Sequence, residues 1–469
     1  MTKEFQGADS GAFDTAFHVV IVGGGMVGSS LACMLAQQHQ DWKIALIESQ
    51  SLNVKSLQIS PQIIPTRVSD AATTIADMKS GDLSNTPYPA SFDARSTALA
   101  RGSIEIFQQL GIWSQLRQHS TLIDKVHISD RGHVGGSLIC GQDYPAIHAG
   151  ATATNESDRV NAVGAVIENA WFGKVLLQQL KCYKNITCIA PASVERLQAK
   201  KGGYLLQVSI TEPSLRTLTI STELCIVCDG AQSKLRKSLG INVDCVDYQQ
   251  QAIIANVEFS ASHQGIAYER FTAAGPMALL PLGESASAKK AALVWTLPNS
   301  ECDAVLGLDD EAFLQTLQQR FGTRLGRFVR MGQRHHYPLT LLRACEQVRS
   351  HLVLMGNSAH FLHPVAGQGF NLALRDCVAL CDELQSQKCD ELQRSCDKSM
   401  PIGSLAVLER YLKRQKFDQQ ATIKLSDSMV KFFSTSALPQ TVFRSLGFIG
   451  LELLPPAKKW LAQQTMGIG

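Results

Sequence analysis

This chain has no stretch of about 18 uninterrupted apolar residues, so no helix is expected to span a membrane. Its opening segment, MTKEFQGADSGAFDTAF, carries acidic residues and no apolar h-region, which argues against a secretory leader. Dense runs of lysine and arginine are also lacking. With a net charge of only +3, nothing marks a nucleic-acid partner. The 13 cysteines include a single Cys-x-x-Cys, Cys225 and Cys228, inside the apolar strand pattern ELCIVCDG. No second pair stands at zinc-ribbon spacing, so these read as buried, reduced thiols rather than metal ligands. No other ligand cluster suggests a metal, and no internal repeat is evident. A globular protein of the cytoplasm is the expectation these absences leave.

What is present is large. At 469 residues the chain exceeds one core of ordinary size, and 45% hydrophobic with 18% charged residues describes a globular protein. Two or three substructures around a shared site are expected.

Residues 18–48 read strand, glycine turn, helix, strand: HVVIV, GGGMVGSS, LACMLAQQ, KIALIE. That is one βαβ unit of about 30 residues. Residues 49–91 are rich in Ser, Thr, Asp and Pro and read as a surface insertion. FDARSTALARGSIEIFQQLGIW is expected to be helical without a strand, with Ile104 and Phe107 leading to a glycine stop at Gly111. From 122 to 340 strand-like runs dominate, with a helix near 166–181, and an antiparallel sheet is expected. HLVLMG is a further buried strand, a helix begins near Gln368, and the remainder looks mainly helical. The expected fold class is α/β: a Rossmann-like nucleotide-binding domain, an antiparallel β-sheet substrate domain and a helical C-terminal region. Residues 17–190 form the first part of the nucleotide-binding unit, with the 50–90 insertion and part of the substrate sheet. Residues 191–240 form its second part and 346–400 its third. The substrate sheet occupies 241–345, and 401–469 is the helical region.

Three glycine-bearing turns carry the chemistry. In Gly23-x-Gly25-x-x-Gly28, directly after HVVIV, the first glycine allows the tight turn and the second lets backbone approach a pyrophosphate. The third lets helix and strand pack closely, and the helix start favours an anion. Glu48, about twenty residues on, is placed to accept from ribose hydroxyls. The second turn, Cys228-Asp229-Gly230-Ala231-Gln232-Ser233-Lys234-Leu235-Arg236, is by itself only a turn, and Arg236 reads as a helix surface charge. The third, GNSAHFLHPVAGQGFNLALRD, ends a strand at Gly356. Pro364 then fixes the chain, and Gly367-Gln368-Gly369 leaves backbone N–H groups bare at a helix start that can hold an electron-rich carbonyl.

In this order, GGGMVG…E, CDGAQSKLR and GNSAHFLHPVAGQGFNLALRD, the chain resembles the flavin-dependent aromatic hydroxylases of the p-hydroxybenzoate hydroxylase fold. It looks most like their ubiquinone-biosynthesis monooxygenases. FDARSTALA, HISDRGH and VIEN are similar to the 2-polyprenyl-6-methoxyphenol hydroxylase branch. The resemblance covers about 17–465, with the 50–90 insertion as the main departure. It implies FAD as cofactor, NAD(P)H as co-substrate and a prenylated phenol as substrate. Other ubiquinone-biosynthesis proteins and peripheral contact with a membrane are further implied partners.

By that resemblance Gly23, Gly25 and Gly28 would hold the FAD pyrophosphate, Glu48 the adenosine ribose, and Arg95 would lie near the flavin chain. Asp229 and Gly230 would serve both FAD and the nicotinamide cofactor. Asn357 would meet the ribityl chain, and Pro364, Gly367, Gln368 and Gly369 would border the isoalloxazine. Asn357 stands where most of the family has Asp, a substitution the methoxyphenol branch tolerates. An amide oxygen still accepts a hydroxyl proton, but without charge assistance.

Flavin hydroxylation asks little acid–base work of side chains, because the cofactor carries the oxygen chemistry. His360 and His363 beside the late loop are the candidates for helping phenol deprotonation, against the plainer reading that local backbone satisfies them. His335 and His336 precede a strand and are weaker candidates. Phe432, Phe433 and LGFIGLELLPPAKKWL read as core or as an apolar mouth for a prenyl tail, with Lys458 and Lys459 suited to a membrane surface.

Overall fold

Val19, Val20 and Ile21 are fully buried on both faces of their strand, as a parallel sheet covered on two sides requires. The computed structural model describes residues 16–52, 95–131, 136–144, 161–211, 215–362, 367–393, 401–433 and 455–468. The strand Ala16–Val22 runs parallel to Ile44–Ile47 on one side and to Arg216–Val227 on the other. Ile186–Ile189 and Leu352–Leu354 extend the parallel set at its two ends. Antiparallel strands Gly203–Ile210 and Ala192–Lys200 fold back as a ribbon, and Val348–Arg349 closes the far edge.

Val19 and Ile21 pack toward the helices Met26–Gln38, Asn169–Cys182 and Gln368–Gln393, whereas Val20 and Val22 face Tyr204, Leu206 and Val208 of the ribbon. Each such side chain stabilises the sheet by about 1.5–3 kcal/mol relative to exposure. Cys225 lies in the second of these cores and Cys228 packs against the first, both as free thiols.

A second sheet is built around the 17-residue strand Val243–Phe259, which pairs antiparallel with His335–Ala344 and Lys290–Pro298. Its pairs are antiparallel except Ile266–Thr272 against Lys125–Asp130. Trp295, Phe313 and Phe321 fill the core between this sheet and the helix Asp310–Phe321. The mixed α/β class with an antiparallel second sheet is as expected.

Two local expectations are corrected. Ser96–Ala100 is a strand, not helix, paired antiparallel with Gly164–Glu168 in a small third sheet completed by Ser120–Ile123. STALA has one large apolar residue, so its short alternation was masked by the helix Arg101–Gln109 that follows. The helix expected near 166 begins at Asn169, because Gly164–Glu168 is that strand. The 50–90 insertion lies outside the described residues except for its first positions.

Candidate functional site

The strands Ile44–Ile47, Ala16–Val22, Arg216–Val227 and Leu352–Leu354 end side by side: Val22 pairs with Ile47 and Val227, and Val227 with Leu354. Each chain leaving this edge is tied to its neighbour. Gly23 N–H donates to Ile47 O at 2.8 Å, Cys228 N–H to Val22 O at 2.7 Å, and Met355 N–H to Val227 O at 2.9 Å. The three glycine-bearing turns, distant in sequence, therefore open from one carboxyl edge of one parallel sheet, where open α/β sheets bind ligands.

The first and second turns are in contact. Gly23 has φ +108°, and a Cβ there would sit 2.4 Å from Cys228 O, so only glycine fits. A Cβ on Gly28 would sit 1.9 Å from Gly23 O, the close packing its position demands. Gly25 is the N-cap of Met26–Gln38, with no side-chain cap and no acid in the first turn. A helix start of this kind carries the positive end of the helix dipole toward the edge. Glu48, 7% exposed, accepts from Gly24 N–H at 2.6 Å, and its other oxygen accepts from Ser49 Oγ and Gln50 N–H, each at 2.9 Å.

In the second turn, Gly230 has φ +89° and open space where a Cβ would be. Asp229 Oδ2 accepts from Leu235 N–H at 3.4 Å, while Oδ1 is buried with no partner among the described residues. Burial pushes this carboxyl above its usual range, opposed by hydrogen bonds from Ser233 and the Leu235 backbone.

Arg236 is not the surface charge its sequence position suggests. It is 2% exposed, donating from Nη1 to Ser358 O and from Nη2 to Ala231 O, both at 2.7 Å. Its guanidinium ties the second turn to the third. Ser233 caps the short helix that carries it by accepting from Arg236 N–H at 3.0 Å. A Ser three residues before an Arg was the available signal, but such spacing marks a cap and not its burial.

In the third turn, Gly356 has φ +64° and a Cβ there would approach Val27 of the first helix at 3.2 Å. Ser358 Oγ donates to Val227 O at 2.7 Å, and Asn357 between them is exposed. Gly367, φ +61°, packs against Ala98, and Gly369 has open space at its Cβ position. Gln368 is 5% exposed and its amide donates to Thr465 O at 3.2 Å, docking the C-terminal helix Pro455–Met466 beside the loop. Pro364 and His363 lie outside the described residues. The Arg95 guanidinium sits 5.0 Å from the Tyr337 ring centroid, bridging to the second sheet.

Asn371 went unremarked in the sequence, yet it joins this loop to the strand Ser96–Ala100. Its amide donates to Ala98 O at 2.9 Å and Gly367 O at 2.8 Å, and its oxygen accepts from Ala100 N–H at 2.9 Å and Ser103 Oγ at 2.7 Å. His360 is buried and its Nε2 meets Asp376 at 2.6 Å, so a carboxylate, not local backbone, holds it. His336 is exposed on its strand and His335 is half-buried beside it. The backbones of Phe432 and Phe433 end the helix Leu405–Phe433, and the segment LGFIGLELL lies outside the described residues. Lys459 and Trp460 are exposed and Lys458 is half-buried on the C-terminal helix. Among the described residues no group of three or more potential metal ligands occurs.

The FAD binding domain family matches residues 84–388. The chain belongs to that family, and by class it is an FAD-dependent monooxygenase. Over nearly its whole length it is similar to ubiquinone hydroxylases. Identity is 29% to ubiquinone hydroxylase UbiL of Rhodospirillum rubrum, covering 98% of this chain and 92% of that protein. It is 26% to 3-demethoxyubiquinol 3-hydroxylase of Escherichia coli, covering 96% and 98%. It is 24% to the human mitochondrial ubiquinone biosynthesis monooxygenase COQ6, covering 95% and 92%. The fold is shared with p-nitrophenol 4-monooxygenase PnpA of Pseudomonas putida, at TM-score 0.67 and 15% identity over 97% and 99% of the two chains. The resemblance read from the three motifs, and the cofactor FAD, are thereby borne out.

Proposed function

We propose that this enzyme hydroxylates the ring of a 2-polyprenyl-6-methoxyphenol, para to its hydroxyl, with NAD(P)H and dioxygen in ubiquinone biosynthesis. The observation that carries it is the meeting of three turns at one sheet edge, stitched by Gly23, Cys228 and Met355 N–H groups. The donor set suits FAD: a glycine N-cap with no acid in the first helical turn for the pyrophosphate, a buried Asp229 oxygen without a partner among the described residues, and an exposed Asn357 amide.

Gly23, Gly25 and Gly28 admit the pyrophosphate, and Glu48 keeps acceptor capacity for the adenosine ribose beyond its three donors. Arg95 would lie near the flavin chain, and Asp229 with Gly230 would serve FAD and the nicotinamide cofactor. Asn357 would accept from a ribityl hydroxyl, and Pro364, Gly367, Gln368 and Gly369 would border the ring. Bound FAD, reduced by NAD(P)H, supplies the dioxygen activation that side chains cannot. The protein's part is to place the phenol and exclude water. His360, committed to Asp376, is a poor proton acceptor for substrate, which leaves His363 as the remaining candidate of the two. Exposed Lys459 and Trp460, beside half-buried Lys458, suit contact with a membrane surface from which a prenylated phenol would be drawn. Among the described residues no helix is long and apolar enough to cross one.

A different ring position is the second reading, favoured by the 26% likeness to a 3-demethoxyubiquinol 3-hydroxylase. The test is the visible spectrum of purified protein, then oxygen uptake with a short-tailed methoxyphenol and product analysis. A yellow protein forming the para-hydroxylated product supports the reading. Turnover without dioxygen, or a colourless protein that takes up no FAD, overturns it, and hydroxylation elsewhere selects the second reading.

A further inference from the structure

His360 lies two residues beyond Ser358 with its side chain 0% exposed, and its Nε2 is 2.6 Å from Asp376 Oδ2. Asp376, on the helix Gln368–Gln393, is 1% exposed. Its other oxygen accepts from Gln419 Nε2 at 2.9 Å, and Gln419 exchanges amide hydrogen bonds with Gln347 at 3.1 and 3.3 Å. Gln347 O in turn accepts from Leu354 N–H at 2.8 Å. These bonds form a closed ring, from the strand that feeds the late loop, through the long helix Leu405–Phe433, to the helix that follows the loop. Residues 356–361 sit inside it.

A nitrogen facing a carboxylate is the donor, so Nε2 carries hydrogen. Among the described residues the buried Nδ1 has no partner, which suits a lone pair there rather than a second N–H. Asp376 then fixes both tautomer and ring direction. Well-packed apolar side chains would stabilise such a buried position as well or better. What the pair adds is direction.

We propose that Asp376, acting through His360, is a positioning residue for FAD: it locks segment 356–361, and Asn357 with it, against the helix that begins at Gln368. The two halves of the late turn then keep a fixed separation before the cofactor arrives, which lowers the ordering cost of binding. The role rests on the FAD reading above.

The test is FAD titration of the apoprotein by fluorescence, with a melt of each apoprotein alongside. Asp376→Asn and His360→Leu are expected to weaken FAD binding at least about tenfold. His360→Gln, whose amide can still donate to Asp376, should stay within about threefold of wild type. Asp418→Asn is the control: it removes the partner of Arg375 between the same two helices without touching the loop. It should lower the melting temperature and leave FAD affinity within about twofold. Should Asp376→Asn not fold, the Leu and Gln variants of His360 decide alone. Wild-type affinity in His360→Leu, or equal weakening by Asp418→Asn, overturns the proposal. A wild-type protein that takes up no FAD overturns the proposed function and this role together.

Discussion

Arg236→Met keeps most of the aliphatic volume of the side chain and removes its fork. Ser358 O and Ala231 O each lose a donor at 2.7 Å, inside a site where Arg236 is 2% exposed. A buried acceptor left unsatisfied costs about 1–3 kcal/mol, so two cost about 2–6 kcal/mol. Part of this is returned, because the guanidinium is itself desolvated: burial lowers its pKa against the pull of Asp229, and its Nε has no acceptor among the described residues. The expected net loss is about 2–4 kcal/mol. That should appear as a fall of about 2–4 °C in the apoprotein melting temperature, because a chain of this length has an unfolding entropy of roughly 1 kcal/mol/K. FAD affinity should fall with it, since the second and third turns are no longer tied. Arg236→Lys, able to reach one carbonyl but not both, should lie between. If Arg236→Met melts within about 1 °C of wild type and binds FAD equally, the guanidinium is not what holds these turns together.

Gly23→Ala forces a Cβ to 2.4 Å from Cys228 O at a backbone φ of +108°, so the first and second turns must separate. A loss of FAD from the purified protein is expected, and an FAD-replete variant would refute the contact. Asn357→Asp adds a charge-assisted acceptor at an exposed position, and should bind FAD as well as or better than the parent, by up to about tenfold, with a more negative flavin midpoint potential. If only the Asp variant binds FAD, the native amide has already cost the protein its cofactor. Asp229 has its carboxyl held above the usual range by burial, so the folded state keeps that proton longer than the unfolded chain. The group therefore costs stability as pH rises from about 4 through the raised folded value. Asp229→Asn should raise the apoprotein melting temperature at pH 7, with the gain vanishing below about pH 4, and an equal gain at both pH values would contradict the assignment.

The motifs were legible because each has a local cause. A strand running into Gly23-x-Gly25-x-x-Gly28 needs only its own thirty-odd residues to read as a nucleotide turn, and the two later glycine turns gave the family by their order. Ser96–Ala100 was misread because five residues of alternation with small side chains carry less signal than the helix they lead into. Arg236, Asn371 and Asp376 were passed over or misread for another reason. Each has a partner far off in the chain: Ser358 for Arg236, Ala98 and Ala100 for Asn371, and Gln419 for Asp376. A polar residue in a helix looks the same in sequence whether it meets water or a buried carbonyl.

The sequence alone determined which backbone segments could turn tightly, where a helix start would lie bare, and hence the kind of cofactor sought. Those are consequences of glycine, of period and of neighbouring residues, and they act over short distances. Only the tertiary structure decided that Val22, Val227 and Leu354 end in one row, so that three turns share one edge, and that buried polar side chains hold them there. The reason is that strand order and burial are set by packing between segments hundreds of residues apart, which no local pattern encodes.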